Sequence, residues 1–239
     1  MAIAAVVIEC GWTAVFAISE GEESRQLTVG LESIDVVRAV AVPNGHAYLT
    51  AGYDGLVVID VRDPNQPVEI GRVDTRGFAG GFALMGGLVL VADGYHGLRV
   101  IDVECPAKPL EVGFVVVEGW SNDVAVRGEY ALVAAGTAGL VVVDLSDAMY
   151  PVEVIVVEMD GSARRVAVSG SNVCVSDDRG RVHVIDLADL ARPLKTGIVD
   201  PSDNAAGGPV TVAPACVAGL LGDRNNRSLS WIGAMIFDE

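Results

Sequence analysis

Basic residues are scarce in this chain. Sixteen lysines and arginines face 32 aspartates and glutamates, a formal net charge of −16. A surface with that balance repels nucleic-acid phosphate and anionic lipid, which argues against both as partners. No Lys or Arg precedes Arg25, and Glu9 interrupts the apolar N-terminal stretch, so the positive flank of a secretory leader is missing from it. No other apolar run is long enough to cross a bilayer. The expectation is a soluble monomer with no membrane insertion. Cysteine is sparse too: Cys10, Cys105, Cys174 and Cys216 form no CxxC and no cluster with His at zinc-site spacing. Free or buried thiols and no metal site are expected.

Catalytic motifs are equally absent. There is no GxSxG, no HExxH, no Walker A loop and no GxGxxG after a strand. His46, His96 and His183 fall at different points of the pattern described below and do not converge. Asp177 and Asp178 are adjacent acids, and neighbours along a chain rarely face one substrate together, so they read as a solvated turn. No catalytic residue and no cofactor are expected.

What the chain has in abundance is Val, Gly and a repeat. Asp60, Asp102, Asp144 and Asp186 recur every 42 residues, as do Pro67, Pro109, Pro151 and Pro193. Val42, Leu84, Val126 and Val168 keep the same step, and so do Gly55, Gly97 and Gly139, after which Gly180 comes one place early. Each unit holds four short runs of strand character, A to D, at 123–127, 130–134, 139–145 and 151–157 in the third unit. Glycine and asparagine mark the A–B and B–C turns, where positive φ is needed. Strand C is continuously apolar, as in Leu56-Val57-Val58-Ile59, and reads as buried on both faces. The Asp closing strand C recurs with the turn, so a turn-organising role is expected of it rather than catalysis. Pro ahead of strand D suits an outer edge strand.

The runs Leu56-Val57-Val58-Ile59-Asp60, Leu98-Arg99-Val100-Ile101-Asp102, Leu140-Val141-Val142-Val143-Asp144 and Val182-His183-Val184-Ile185-Asp186 resemble the LVIVD repeat, as does the trailing Asp63-Pro64 with Pro67. The resemblance covers about residues 30–197. It implies an all-β, propeller-type fold and the surface of bacterial or archaeal cells.

The ends are out of phase in a complementary way. Shifting by one unit puts residues 5–9, 13–18 and 25–30 on strands B, C and D, with strand A missing. Residues 208–213 fall where a strand A is due. Pairing the two would remove exposed edges and close a five-bladed β-propeller over residues 1–213, with 214–239 as a non-repeat tail.

In a propeller, the B–C and D–A loops emerge on one face. Here they carry Trp12, Tyr53, Phe78, Tyr95 and Trp120, five of 13 aromatics, while the opposite loops carry only Tyr150. Aromatics in exposed loops signal binding. His96 lies among them, and the residues that start strand A, Arg38, Gly80, Asn122 and Arg164, would line the channel mouth. The leading expectation is a non-enzymatic module that binds a protein segment on this face. A carbohydrate-binding or glycoside-processing channel and a purely structural surface domain are the alternatives.

Overall fold

The computed structural model describes residues 36–63, 65–190 and 192–200, together with the backbone of three N-terminal strands. Those three, β1 (Ala2–Glu9), β2 (Thr13–Glu20) and β3 (Glu23–Gly30), form an antiparallel sheet in the order β1-β2-β3. Four four-stranded antiparallel sheets follow, one per repeat. Blade I holds β4 (Ala39–Ala41), β5 (His46–Thr50), β6 (Leu56–Asp60) and β7 (Val68–Val73). Blade II holds β8 (Phe82–Met85), β9 (Leu88–Ala92), β10 (Leu98–Asp102) and β11 (Leu110–Val115). Blade III holds β12 (Asp123–Arg127), β13 (Tyr130–Ala134), β14 (Leu140–Asp144) and β15 (Val152–Val157). Blade IV holds β16 (Ala163–Ser169), β17 (Asn172–Asp177), β18 (Val182–Asp186) and β19 (Leu194–Val199). No helix occurs among the described residues, and the arrangement is consistent with a propeller. Residues 208–213, expected to pair with the N-terminal sheet, lie outside the described residues.

Strand periodicity explains how the blades stack. Alternate residues of a strand point to opposite faces. In β14, Val141 and Val143 pack backward onto Leu98 and Val100 of blade II, while Leu140 and Val142 pack forward onto Ile185 and Val173 of blade IV. Blades I and II share a third such layer, built on Leu56, Val58, Val89 and Ile101. A strand sandwiched this way has no polar face, which is why strand C reads as an unbroken apolar run. Strand D is the exposed edge in each blade.

The recurring acids organise turns. Asp60, Asp102, Asp144 and Asp186 each accept a backbone N–H two residues on, from Arg62, Glu104, Ser146 and Ala188, at 2.8–3.0 Å. Asp63 and Asp147 repeat the motif three residues later. Arg62 also donates its side chain to Asp60, which with its N–H holds that carboxyl well below the usual range. The B–C turn closes alike in every blade, with the N–H of Ala51, Asp93, Ala135 and Asp177 donating to the carbonyl of Gly55, Gly97, Gly139 and Arg181. The early Gly180 supplies the positive φ, 77°, that Arg181 does not.

Two expectations need correction. Cys174 is buried and disulfide-bonded, whereas Cys105 is free and exposed. Asp177 is not a solvated turn residue: it is 5% exposed and accepts hydrogen bonds from the N–H groups of Arg179 and Arg181 and from the Arg181 side chain. Only Asp178, which accepts the Ser162 N–H, is exposed. The turn folds back on Asp177, so the N–H groups that hold it come from its own loop, and His183 on β18 adds a further contact.

Strand D bulges at the same point in all four blades, opposite the steps Val58/Ile59, Val100/Ile101, Val142/Val143 and Val184/Ile185. Gly113 follows the bulge in blade II, and a Cβ there would lie 2.1 Å from the Ala148 carbonyl oxygen of blade III. Replacing Gly113 with Val should lower unfolding free energy by about 1–3 kcal/mol. Gly128→Ala, which meets open space, should cost no more than the roughly 1–2 kcal/mol of its left-handed backbone. Urea unfolding of both variants checks this.

Candidate functional site

One strand-like bridge joins each blade to the next. Gly52 of the blade I B–C loop pairs with Ala79, ahead of β8; Gly94 pairs with Ser121, ahead of β12; Gly136 pairs with Ala163, at the start of β16. Each of these glycines has φ between 57° and 59°. Two of them also lie tight against a ring: a Cβ on Gly52 would lie 3.1 Å from Phe78 and one on Gly94 would lie 3.2 Å from Trp120. The glycine therefore both turns the loop and seats an aromatic from the following blade.

The aromatics that follow these glycines complete the arrangement. Tyr53 stacks edge-on against Phe78, with centroids 5.1 Å apart at 81°, and Tyr95 stacks against Trp120, 4.8 Å apart at the same 81°. Phe78 and Trp120 touch at 5.9 Å. The result is a continuous arc, Tyr53–Phe78–Trp120–Tyr95, across blades I to III. Phe78 and Trp120 are half-buried, whereas Tyr53 and Tyr95 are 78% and 70% exposed.

Beside the arc lies a cavity of about 490 Å³, lined by Arg38, Tyr53, Phe78, Gly80, Gly81, Trp120, Asn122, Arg164 and Arg165. Seven of the residues expected from the sequence are here: Arg38, Tyr53, Phe78, Gly80, Trp120, Asn122 and Arg164. Tyr95 joins them through Trp120. His96 is exposed on the same loop but does not line the cavity, and Trp12 lies outside the described residues. The Arg38 guanidinium lies 4.6 Å from the Phe78 centroid, a cation–π contact that holds it at the rim. Asn122 donates its amide to the carbonyls of Trp120 and Ala163, tying the Trp120 loop to blade IV. The short Thr50–Gly80 hydrogen bond, 2.5 Å, does the same between blades I and II.

Sequence reasoning left two supports unnamed. Asp93 and Arg99 form a buried pair at 3.3 Å, with Thr75 donating to Asp93 at 2.6 Å and Arg99 reaching Glu111. Burial raises the Asp93 carboxyl, against the opposing pull of Thr75 and Arg99. In blade IV, Asp177 and His183 occupy the same register at 3.0 Å, and blades I and III carry Ala51 with Val57 and Ala135 with Val141 there. Burial raises the Asp177 carboxyl, but its hydrogen bonds from His183, Arg181 and Arg179 outweigh that and leave it lowered. The joint change of both positions from apolar to charged was the readable signal. These pairs brace the roots of two B–C loops, one of which carries Tyr95.

Among the described residues, no Asp or Glu lines the cavity. The acid next to it is Asp123, which opens β12, accepts the Val166 N–H at 3.1 Å and feels the charge of Arg165.

The sequence profile of the LVIVD repeat matches the chain four times, at residues 36–75, 76–117, 118–158 and 160–201. No curated protein sequence matches it significantly. Among solved structures it is similar to the crystal structure of the computationally designed Ika8 protein, with a TM-score of 0.58 and 11% identity over 80% of this chain. It spans about three fifths (61%) of that protein's chain, and at this identity the likeness speaks to fold alone.

Asp123 makes the site's electrostatics measurable. Desolvation against Gly81 and the blade III–IV joint pushes its carboxyl up to about 6, in spite of Arg165 and two backbone N–H donors. A carboxyl raised on folding favours the folded state when protonated, and that contribution is lost as pH rises through the folded value. Between pH 4 and pH 7 the wild type should lose about 2 kcal/mol relative to Asp123→Asn, most of it below about pH 6. Urea unfolding of both proteins across that range reads the difference.

Proposed function

The chain belongs to the LVIVD-repeat family, and on that footing we propose that it is a non-enzymatic binding module whose B–C/D–A loop face captures a segment of another protein. The observation that carries this reading is the aromatic arc beside the cavity. Tyr53 and Tyr95 keep large rings in solvent, 78% and 70% exposed, although each has a neighbouring ring to stack on. Rigid rings with a polar tip, held in place before any partner arrives, lose little entropy on binding. The cavity lining favours binding over hydrolysis: glycoside cleavage needs two carboxyl groups across the substrate, and the lining contributes arginines instead. Exposed tyrosine rings also suit a sugar face, which keeps a glycan as the second reading.

The same footing favours a closed, five-bladed ring. Blade IV turns Cys174 and Val182 forward, in the register of Leu132 and Leu140, and both are buried. Blade I turns Leu49, Val57 and Ile59 backward, and each is 0% exposed. Covered faces at both ends of the four-blade run fit a fifth blade made from the N-terminal sheet and residues 208–213. The face aligned above the strand A starts would then ring a channel mouth.

Two outcomes are expected. Tyr95→Ala and Trp120→Ala should weaken capture of the partner segment at least tenfold while far-UV circular dichroism and the urea midpoint of Tyr95→Ala stay unchanged; a glycan array in parallel distinguishes the sugar reading. A chain ending at residue 213 should unfold cooperatively like the full protein, and one ending at residue 207 should lose that cooperativity.

A further inference from the structure

Five arginines of this chain are paired with its own acids. Arg62, Arg72, Arg99, Arg179 and Arg181 all sit within 4 Å of Asp or Glu oxygens. Arg127 is used up differently, donating to the carbonyls of Gly170 and Leu187. Acids outnumber bases two to one, 32 against 16, so two unpaired arginines converging on one cavity stand out against a negative surface. Arg38 and Arg164 line one cavity and neither forms an ion pair among the described residues. The third arginine there, Arg165, works against Asp123. The net positive charge of the cavity therefore comes from Arg38 and Arg164, which open the first strands of blades I and IV, with Phe78 and Trp120 from the intervening blades between them.

We propose that the partner segment is acidic: an extended peptide that sets carboxylates against Arg38 and Arg164 and lays an apolar or aromatic side chain on Phe78 and Trp120. This rests on the face reading above and adds the chemistry. The Arg38 guanidinium carbon lies over the Phe78 ring, 4.6 Å from its centroid, and a ring contact of this kind uses no N–H donor, which leaves the N–H fork for a carboxylate. Asn122 borders the same space; its amide N–H groups go to the Trp120 and Ala163 carbonyls, and its side-chain oxygen is the group that can accept from a peptide main chain. The aromatic arc continues past the cavity to Tyr95, which does not line it, so the surface is longer than a small molecule requires. The rest of the chain sets a limit on charge. At physiological salt the Debye length is about 8 Å, so two or three carboxylates feel the cavity arginines, whereas a long polyanion meets the net charge of −16 beyond them.

The test uses the full chain and three pools of acetylated octapeptides, in which Phe, Tyr and Leu alternate with Glu and Asp, with Gln and Asn, or with Lys. Calorimetry should show the acidic pool binding at least tenfold tighter than the amide pool, and no binding of the Lys pool. The double variant Arg38→Gln, Arg164→Gln should bring the acidic pool down to the amide level with an unchanged urea midpoint. Equal binding of acidic and amide pools, still abolished by Trp120→Ala, overturns the charge assignment and leaves the face reading standing. Failure of every pool to bind in a manner sensitive to Trp120→Ala overturns the face reading itself. Terephthalate, a free dicarboxylate, serves as the remaining arm: binding as tight as the acidic pool overturns the peptide assignment in favour of a small molecule.

Discussion

The backbone bridge between consecutive blades is the constraint on which the candidate site depends. Packing of apolar faces holds neighbouring blades together, but such contact is non-directional and tolerates sliding. The pairs Gly52–Ala79, Gly94–Ser121 and Gly136–Ala163 remove that freedom, because paired backbone groups fix one register. They also require glycine. Any other residue at Gly52 or Gly94 would need an unfavourable positive φ and would crowd Phe78 or Trp120. The same few atoms therefore set blade spacing and ring position.

The proposed function rests on placing those rings in series. Tyr53 reaches Phe78 and Tyr95 reaches Trp120 with identical 81° geometry, because both pairs are built by the same repeat unit one step apart. Blade III breaks the series: Thr137 and Ser162 stand where an aromatic pair would be, and Arg164 and Arg165 follow. The repeat thus supplies a uniform frame, and substitutions at a few loop positions set an aromatic arc over blades I to III beside a cavity that Arg38 and Arg164 line.

Much of this was legible in the sequence. The repeat located β12 and β13 to the residue, and its Asp–Pro punctuation marked turns that the Asp60, Asp102, Asp144 and Asp186 hydrogen bonds account for. Turn chemistry is local, so local reading reaches it. The strand A starts, Arg38, Gly80, Asn122 and Arg164, border one cavity because they share a register. What escaped was interaction between strands. Asp93 with Arg99 and Asp177 with His183 lie across a loop from each other and exchange solvent for a partner that linear reading does not display. The stacked pairs escaped for the same reason, although Tyr53 to Phe78 and Tyr95 to Trp120 are separated by the same 25 residues.

Amide hydrogen exchange followed by NMR tests the bridge account most directly. The N–H groups of Gly52, Ala79, Gly94, Ser121 and Ala163 lie outside the interiors of the strands, yet each donates to a carbonyl of the neighbouring blade at 2.8–3.2 Å. If the bridges fix the blades, these amides exchange as slowly as those in the middle of β9 and β13, through opening of the whole fold. Exchange at the rate of an open loop would mean that the blades are held by apolar packing alone, and that the aromatic arc is not a built surface.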